Sequence, residues 1–204
     1  MAISTYSELQ TACANWLARA DLTSRIPEFI ALAEDTINKR LRIRAMENRA
    51  TATVSSEYVS LPTGFLEMRN FQLNTSPKQS VRFVTPEYID TFWAGSTTGQ
   101  PKVYALIGGE IQLAPAPDAS YTAEMDYYKK WDIATDLTNW LLTNAPSVYL
   151  YGTLLNAEPF LKNDKRIAMW ETRFEKSLAD VEKADKRERW SGNSLTIRAD
   201  ITPV

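Results

Sequence analysis

The sequence predicts an α+β fold: a four-helix bundle with a β-rich domain inserted between helices two and three, followed by an extended C-terminal arm. Three observations predict it. Apolar residues recur every three or four positions near both ends of the chain, alternate with period two through the middle, and alternate again after Ser191. Each end holds two helical stretches with one apolar stripe apiece. Neither pair buries much by itself, so joining the pairs is the economical solution. The expected boundaries are 1–48 and 132–190 for the bundle, 49–131 for the insertion and 191–204 for the arm.

Thr5-Tyr6-Ser7-Glu8 is a capping box that opens the first helix, with Leu9, Cys13, Trp16 and Leu17 on its apolar face. Ser24 and Pro27 open the second, a helix of ~20 residues. Its stripe is Ile26, Phe29, Ile30, Ala33, Ile37 and Leu41, and its opposite face carries Glu34, Asp35, Lys39, Arg40, Arg42 and Arg44. Ala50 to Val54 and Glu57 to Leu61 read as paired strands around Ser55-Ser56. Met68 to Leu73 is a further strand, and Thr85-Pro86-Glu87 starts a short helix. Gly108-Gly109 joins Val103–Ile107 to Glu110–Leu113 as a hairpin. Tyr121 to Lys130 is the last strand of the insertion. The third helix begins at Asn144 with Pro146 in its first turn, and Pro159 marks its end. Asn163 or Asp164 caps the fourth, whose stripe is Ile167, Trp170, Phe174, Leu178 and Val181.

Composition narrows the chemistry. The 204 residues include 23 basic and 25 acidic side chains and no histidine. A net charge of -2 argues against a tight grip on nucleic acid, which needs a cation for each neutralised phosphate. Without histidine the commonest general base and zinc ligand are gone. Cys13 has no partner for a disulfide and reads as a small buried hydrophobe. No stretch approaches the ~20 apolar residues of a membrane helix. Gly108-Gly109 lacks the context of a phosphate loop. Asp118, Glu124 and Asp126 read as surface and turn acids, so no catalytic residue, metal site or cofactor is expected.

Two groups of residues are candidates for partner contact. Lys39, Arg40, Arg42, Arg44 and Arg49 are five cations against the single acid Glu47, able to meet an acidic protein surface or DNA phosphates. In the arm, Leu195, Ile197, Ala199 and Ile201 alternate with Thr196, Arg198, Asp200 and Thr202, a strand pattern with no following strand to pair it. Leu195, Ile197, Arg198 and Ile201 are its candidate contacts, either as an edge strand of the chain's own sheet or as an arm pairing with another subunit, with a disordered polar terminus as the third reading.

The chain also carries, in order, Tyr6 and Leu9, Ile26-Pro27-Glu28-Phe29-Ile30 with the basic stretch after it, and Leu61-Pro62 with Phe65. Thr85-Pro86-Glu87, Pro101 to Tyr104, and Ile111, Leu113, Pro115 and Pro117 follow. Asn139-Trp140-Leu141, Ala145-Pro146 and Tyr149-Leu150-Tyr151-Gly152 complete the series. Over roughly residues 5–190 this order resembles the head-to-tail adaptors of short-tailed bacteriophages, also called head-completion or tail tubular A-type proteins. The resemblance implies a virion protein made in the host cytoplasm and placed at the head–tail junction. It implies a homo-oligomeric ring of twelve copies, seated between portal protein and tail nozzle protein, with DNA passing through the lumen without specific binding. It further implies an arm reaching the portal, and neither enzymatic activity nor contact with membrane. The alternative is a tail-associated module whose β-domain engages carbohydrate or another tail protein.

Overall fold

The computed structural model describes residues 3–19, 21–93, 95, 98–161 and 164–190. In chain order the helices are α1 (Tyr6–Leu17), α2 (Ile26–Arg40), α3 (Pro86–Phe92), α4 (Ile133–Asp136), α5 (Trp140–Asn144), α6 (Pro146–Leu161) and α7 (Asp164–Trp190). The strands are β1 (Glu47–Val54), β2 (Tyr58–Ser60), β3 (Phe65–Leu73), β4 (Gln79–Ser80), β5 (Arg82–Phe83), β6 (Val103–Ile107), β7 (Glu110–Ala114) and β8 (Tyr121–Lys129). The chain divides into two compact units: Met1–Arg44 with Ile133–Val204, and Ala45–Asp132.

The first unit is helical, but it is not a four-helix bundle. A bundle distributes its core over four comparable helices, each contributing one stripe. Here α6 is apolar on every side and occupies the middle, burying Val148, Tyr149, Leu150, Gly152, Thr153, Leu154 and Ala157. Helices α1, α2, α5 and α7 pack on α6, while α1 and α2 touch each other much less. The expectation of a bundle treated the third helix as one-sided like the others. The all-round apolarity of α6 instead makes it a central post, and lengths of 12, 15, 16 and 27 residues for α1, α2, α6 and α7 suit no symmetric bundle. Pro159 lies inside α6 rather than at its end. The capping box does form: Glu8 N donates to Thr5 Oγ1 at 3.3 Å, and Glu8 Oε2 accepts from Thr5 N at 3.1 Å. Along α7, Trp170, Phe174, Leu178 and Val181 are buried.

The second unit is built from two four-stranded sheets, ordered β1-β8-β3-β4 and β2-β7-β6-β5. Val54, Phe71, Leu73, Ala123 and Met125 of the first sheet share one core with Tyr104, Ile111 and Leu113 of the second. The hairpin expected around Ser55-Ser56 does not form. β1 pairs with β8 and β2 pairs with β7, so the two runs enter different sheets. The hairpin at Gly108-Gly109 does form, with Ile107 opposite Glu110 and Gly108 at φ 62°, a conformation that favours glycine. The arm, residues 191–204, and the proposed cap at Asn163 lie outside the described residues.

Candidate assembly surface

Four of the five candidate cations come together in the helical unit, where acids or backbone carbonyls of the same unit already meet them. Lys39 and Arg40 close α2, the helix end where cations oppose the backbone dipole. Lys39 Nζ lies 2.5 Å from Asp35. Arg40 makes a two-pronged contact with Glu175 of α7, one of its bonds 2.6 Å long. Arg42 Nη1 donates to the carbonyls of Asn38 and Leu41 at 2.7 and 2.6 Å. Arg44 donates from its amide (3.1 Å) and Nε (3.0 Å) to Asp185, and from Nη2 to Glu188 at 2.6 Å. Arg40 holds the Glu175 carboxyl below its ordinary range. At Asp185 burial pushes the other way, but the Arg44 amide and guanidinium, with Arg189, outweigh it and hold the carboxyl low. Arg40, Arg42, Ile43, Glu182, Asp185, Lys186 and Arg189 line a shallow recess of about 200 Å³ with mixed charge. The arrangement fastens the end of α2 and the segment after it to α7.

Arg49 stands apart from that group, on β1 in the other unit. Its Nε donates to Glu124 Oε1 at 2.7 Å, while Asn74 Nδ2 donates to Oε2 at 3.1 Å and Lys78 Nζ lies 3.6 Å from the same oxygen. The Arg49 and Asn74 hydrogen bonds draw the Glu124 carboxyl down to about 2, against an ordinary value of 4.5. A carboxyl depressed on folding stabilises the protein above its unfolded pKa, and that contribution disappears as pH falls through the folded one. The difference in urea midpoint between wild type and Glu124→Gln should therefore be full above 4.5 and close as pH approaches 2. A difference independent of pH would remove Glu124 from the acid response.

The helical unit also presents aromatic surface. Trp16, 50% exposed on α1, meets Trp170 edge-on at 5.8 Å and Tyr151 at 6.4 Å. Tyr151 stacks on Trp170 at 5.9 Å, and the Arg173 guanidinium lies 5.7 Å from the Tyr151 ring centre. Met169, beside Trp170 in sequence, is exposed. Trp170 is anchored from behind, its Nε1 donating to the buried Glu158 at 2.9 Å. Leu32 of α2 and Phe160 of α6 are exposed too, the latter tilted against Phe29 at 5.6 Å. Large apolar groups gathered and left in water are a mark of surfaces that another protein covers. The apolar period of α1 placed Trp16 on the buried face, and only the packing shows it half in solvent.

The profile of the SU10 adaptor protein family matches residues 4–198. The chain belongs to the SU10 adaptor protein family. No curated protein matches it. SU10 adaptor membership identifies a bacteriophage adaptor, a virion component of a structural rather than enzymatic family that associates with other head or tail proteins. The match enters both units and takes in Leu195, Ile197 and Arg198, which lie outside the described residues, as does Ile201 beyond it. Among the described residues of this SU10 adaptor, no three His, Cys, Asp or Glu side chains are grouped to hold a metal ion. No described helix is long and apolar enough to cross a membrane. Of the acids considered for chemistry, Asp118 accepts a 2.5 Å bond from the Tyr121 hydroxyl, and Glu124 is engaged as above.

Proposed function

We propose that this adaptor assembles as a ring of twelve copies joining the portal protein to the tail nozzle protein of a short-tailed phage, at the head–tail junction. DNA passes through its lumen without specific binding, and the C-terminal segment containing Leu195, Ile197, Arg198 and Ile201 makes a partner contact. The family match across residues 4–198 carries this reading. The exposed apolar groups Trp16 and Met169 support it, because ring assembly requires surface that a lone subunit leaves uncovered. A net charge of -2 suits a conduit, since a strongly basic lumen would retain the DNA. Lys39, Arg40, Arg42, Arg44 and Arg49 remain available for a partner's acidic groups or passing phosphates only in so far as their intramolecular acids are exchanged or shared.

Native mass spectrometry of the chain, alone and mixed with the portal ring of the same genome, tests the proposal. Twelve copies added to the portal, whether from a preformed ring or from monomers, is the expected result. A monomer that ignores the portal would overturn it and leave a tail-associated binding module as the better account.

A further inference from the structure

Among the described strands, β1 is the longest of those at a sheet edge. It pairs with β8 on one side and, among the described residues, with no strand on the other. All eight of its residues pair in continuous register, without a bulge. Six of the eight are exposed and only Val54 is buried. Proteins usually blunt such edges with a bulge, a proline, an inward charge or a very short strand. In the same sheet β3 has two register shifts, and the opposite edge, β4, is two residues long. The centre of β1 is instead Ala50-Thr51-Ala52-Thr53, regular and uncharged.

The side chains of β1 show what an added strand needs. Ala50, Ala52 and Val54 lie opposite Met125, Ala123 and Tyr121, so they share the face turned to the core. On that face Val54 is buried, Ala50 half-buried and Ala52 exposed, so the apolar layer thins to alanine at its rim. Larger apolar groups laid alongside would continue it. Glu47, Arg49, Thr51 and Thr53 form the other face.

We propose that the open edge of β1 takes residues 195–202 of a second copy as an added antiparallel strand, with Leu195 opposite Val54 and Asp200 opposite Arg49. This rests on the ring reading, which supplies the neighbouring copy. In this register Ile197 faces Ala52, large beside small, and Ala199 faces Ala50, while Asp200 joins Glu124 around the Arg49 guanidinium. Alternative registers are worse. A slip of one residue turns Leu195, Ile197 and Ile201 to the polar face. A slip of two in one direction sets Arg198 against Arg49 and Asp200 against Glu47, and in the other direction leaves Arg49 facing Thr202. Only residues 191–194 separate Trp190 from the donated strand, so Trp190 of the donor must lie within ~18 Å of its own Leu195 and, with ~5 Å between paired strands, within ~23 Å of the acceptor's Val54. That constraint fixes neighbour geometry in the ring.

Disulfide trapping between two chains, each carrying one added cysteine, tests it. Ala52→Cys and Ile197→Cys proteins are mixed, oxidised mildly with and without the portal ring, and digested to find a peptide joining positions 52 and 197. Native Cys13 is buried, and burial pushes its thiol up to about 12, which keeps it out of exchange. The 52–197 link is expected between copies, and Thr51→Cys with Ile197→Cys, on opposite faces, should yield about tenfold less. Ala52→Lys, an inward charge on the edge, should abolish linkage in a Leu195→Cys and Val54→Cys pairing while leaving the circular dichroism melt in place. Equal yields from positions 51 and 52, a link confined to one chain, or capture of position 197 by the portal alone would overturn the inference. A mixture that joins the portal in twelve copies without the 52–197 link sinks this inference and leaves the adaptor reading standing. A link between copies that ignore the portal would do the reverse.

Discussion

Replacing Gly152 by valine is expected to destabilise the helical unit by about 3 kcal/mol or more, the upper range for forcing volume into a packed interior. An ideal Cβ at Gly152 lies 2.9 Å from Phe174 Cε2 and 3.1 Å from Ala33 Cβ. The first belongs to a ring buried in α7 and the second is fixed to the backbone of α2, so neither neighbour can withdraw cheaply. Gly152 is where α2 and α7 both press on α6, and it is the reason those helices can approach so closely. Alanine carries this same Cβ and meets both close contacts, so about 1 kcal/mol of helix propensity over glycine offsets only part of the cost, and the variant should be destabilised by less than valine. Valine adds two further methyls in the same space with no such offset. Thermal melts followed at the helical band would show the loss as a drop of roughly 6–12 °C. Adding Phe174→Leu to the valine variant should recover part of it. A valine variant melting with the wild type would mean the three helices do not meet at this point.

What the sequence makes legible is local, and what it hides is long-range. The capping box at Thr5 and Glu8 and the turn at Gly108-Gly109 are settled by residues within four positions of each other. The stripe of Trp170, Phe174, Leu178 and Val181 is settled by the helical period. Strand alternation over Ala50–Val54 and Glu57–Leu61 identifies strands but names no partner, so the expected hairpin dissolved into two sheets. Helices α4 and α5, at four and five residues, are shorter than any window in which a period can be counted. The cations at 39, 40, 42, 44 and 49 were visible as a group, yet their acids lie far along the chain. Arg40 finds Glu175, Arg44 finds Asp185, and Arg49 finds Glu124, which is why a single basic patch became a fastener in one unit and a separate ion pair in the other. Glu34 is the clearest case. Its neighbours in sequence assign it to the polar face of α2, whereas the structure buries it to 8% exposure.

Glu34→Leu is expected to cost about 3 kcal/mol, although it places an apolar residue in an apolar site. Glu34 Oε1 accepts from the Ile133 amide at 2.9 Å and from the Tyr149 hydroxyl at 2.8 Å. Tyr149 in turn accepts from Asn139 Nδ2 at 2.6 Å, and Asn139 Oδ1 caps α5 by accepting from Leu142 N at 2.8 Å. One carboxylate on α2 thus holds the start of α4 and, through Tyr149, orients α5 and α6. Leucine removes the acceptor but not the donors. Ile133 and Tyr149 are 1% and 0% exposed, so water cannot easily replace what is lost, and a buried donor left unsatisfied costs about 1–3 kcal/mol. Part of that is offset by the apolar contact leucine gains and by no longer holding a carboxylate away from water. Glutamine keeps the Oε1 carbonyl that accepts both bonds and loses only their charge-assisted part, so it should cost only about 1 kcal/mol. The discriminating measurement is a double-mutant cycle in urea. If the hydroxyl is the stranded group, Tyr149→Phe should cost distinctly less in the Glu34→Leu background than in wild type, because one buried donor has already lost its acceptor. Strict additivity would mean the two side chains do not act through a shared bond. The destabilisation of Glu34→Leu would then have to be sought in packing around α2 alone.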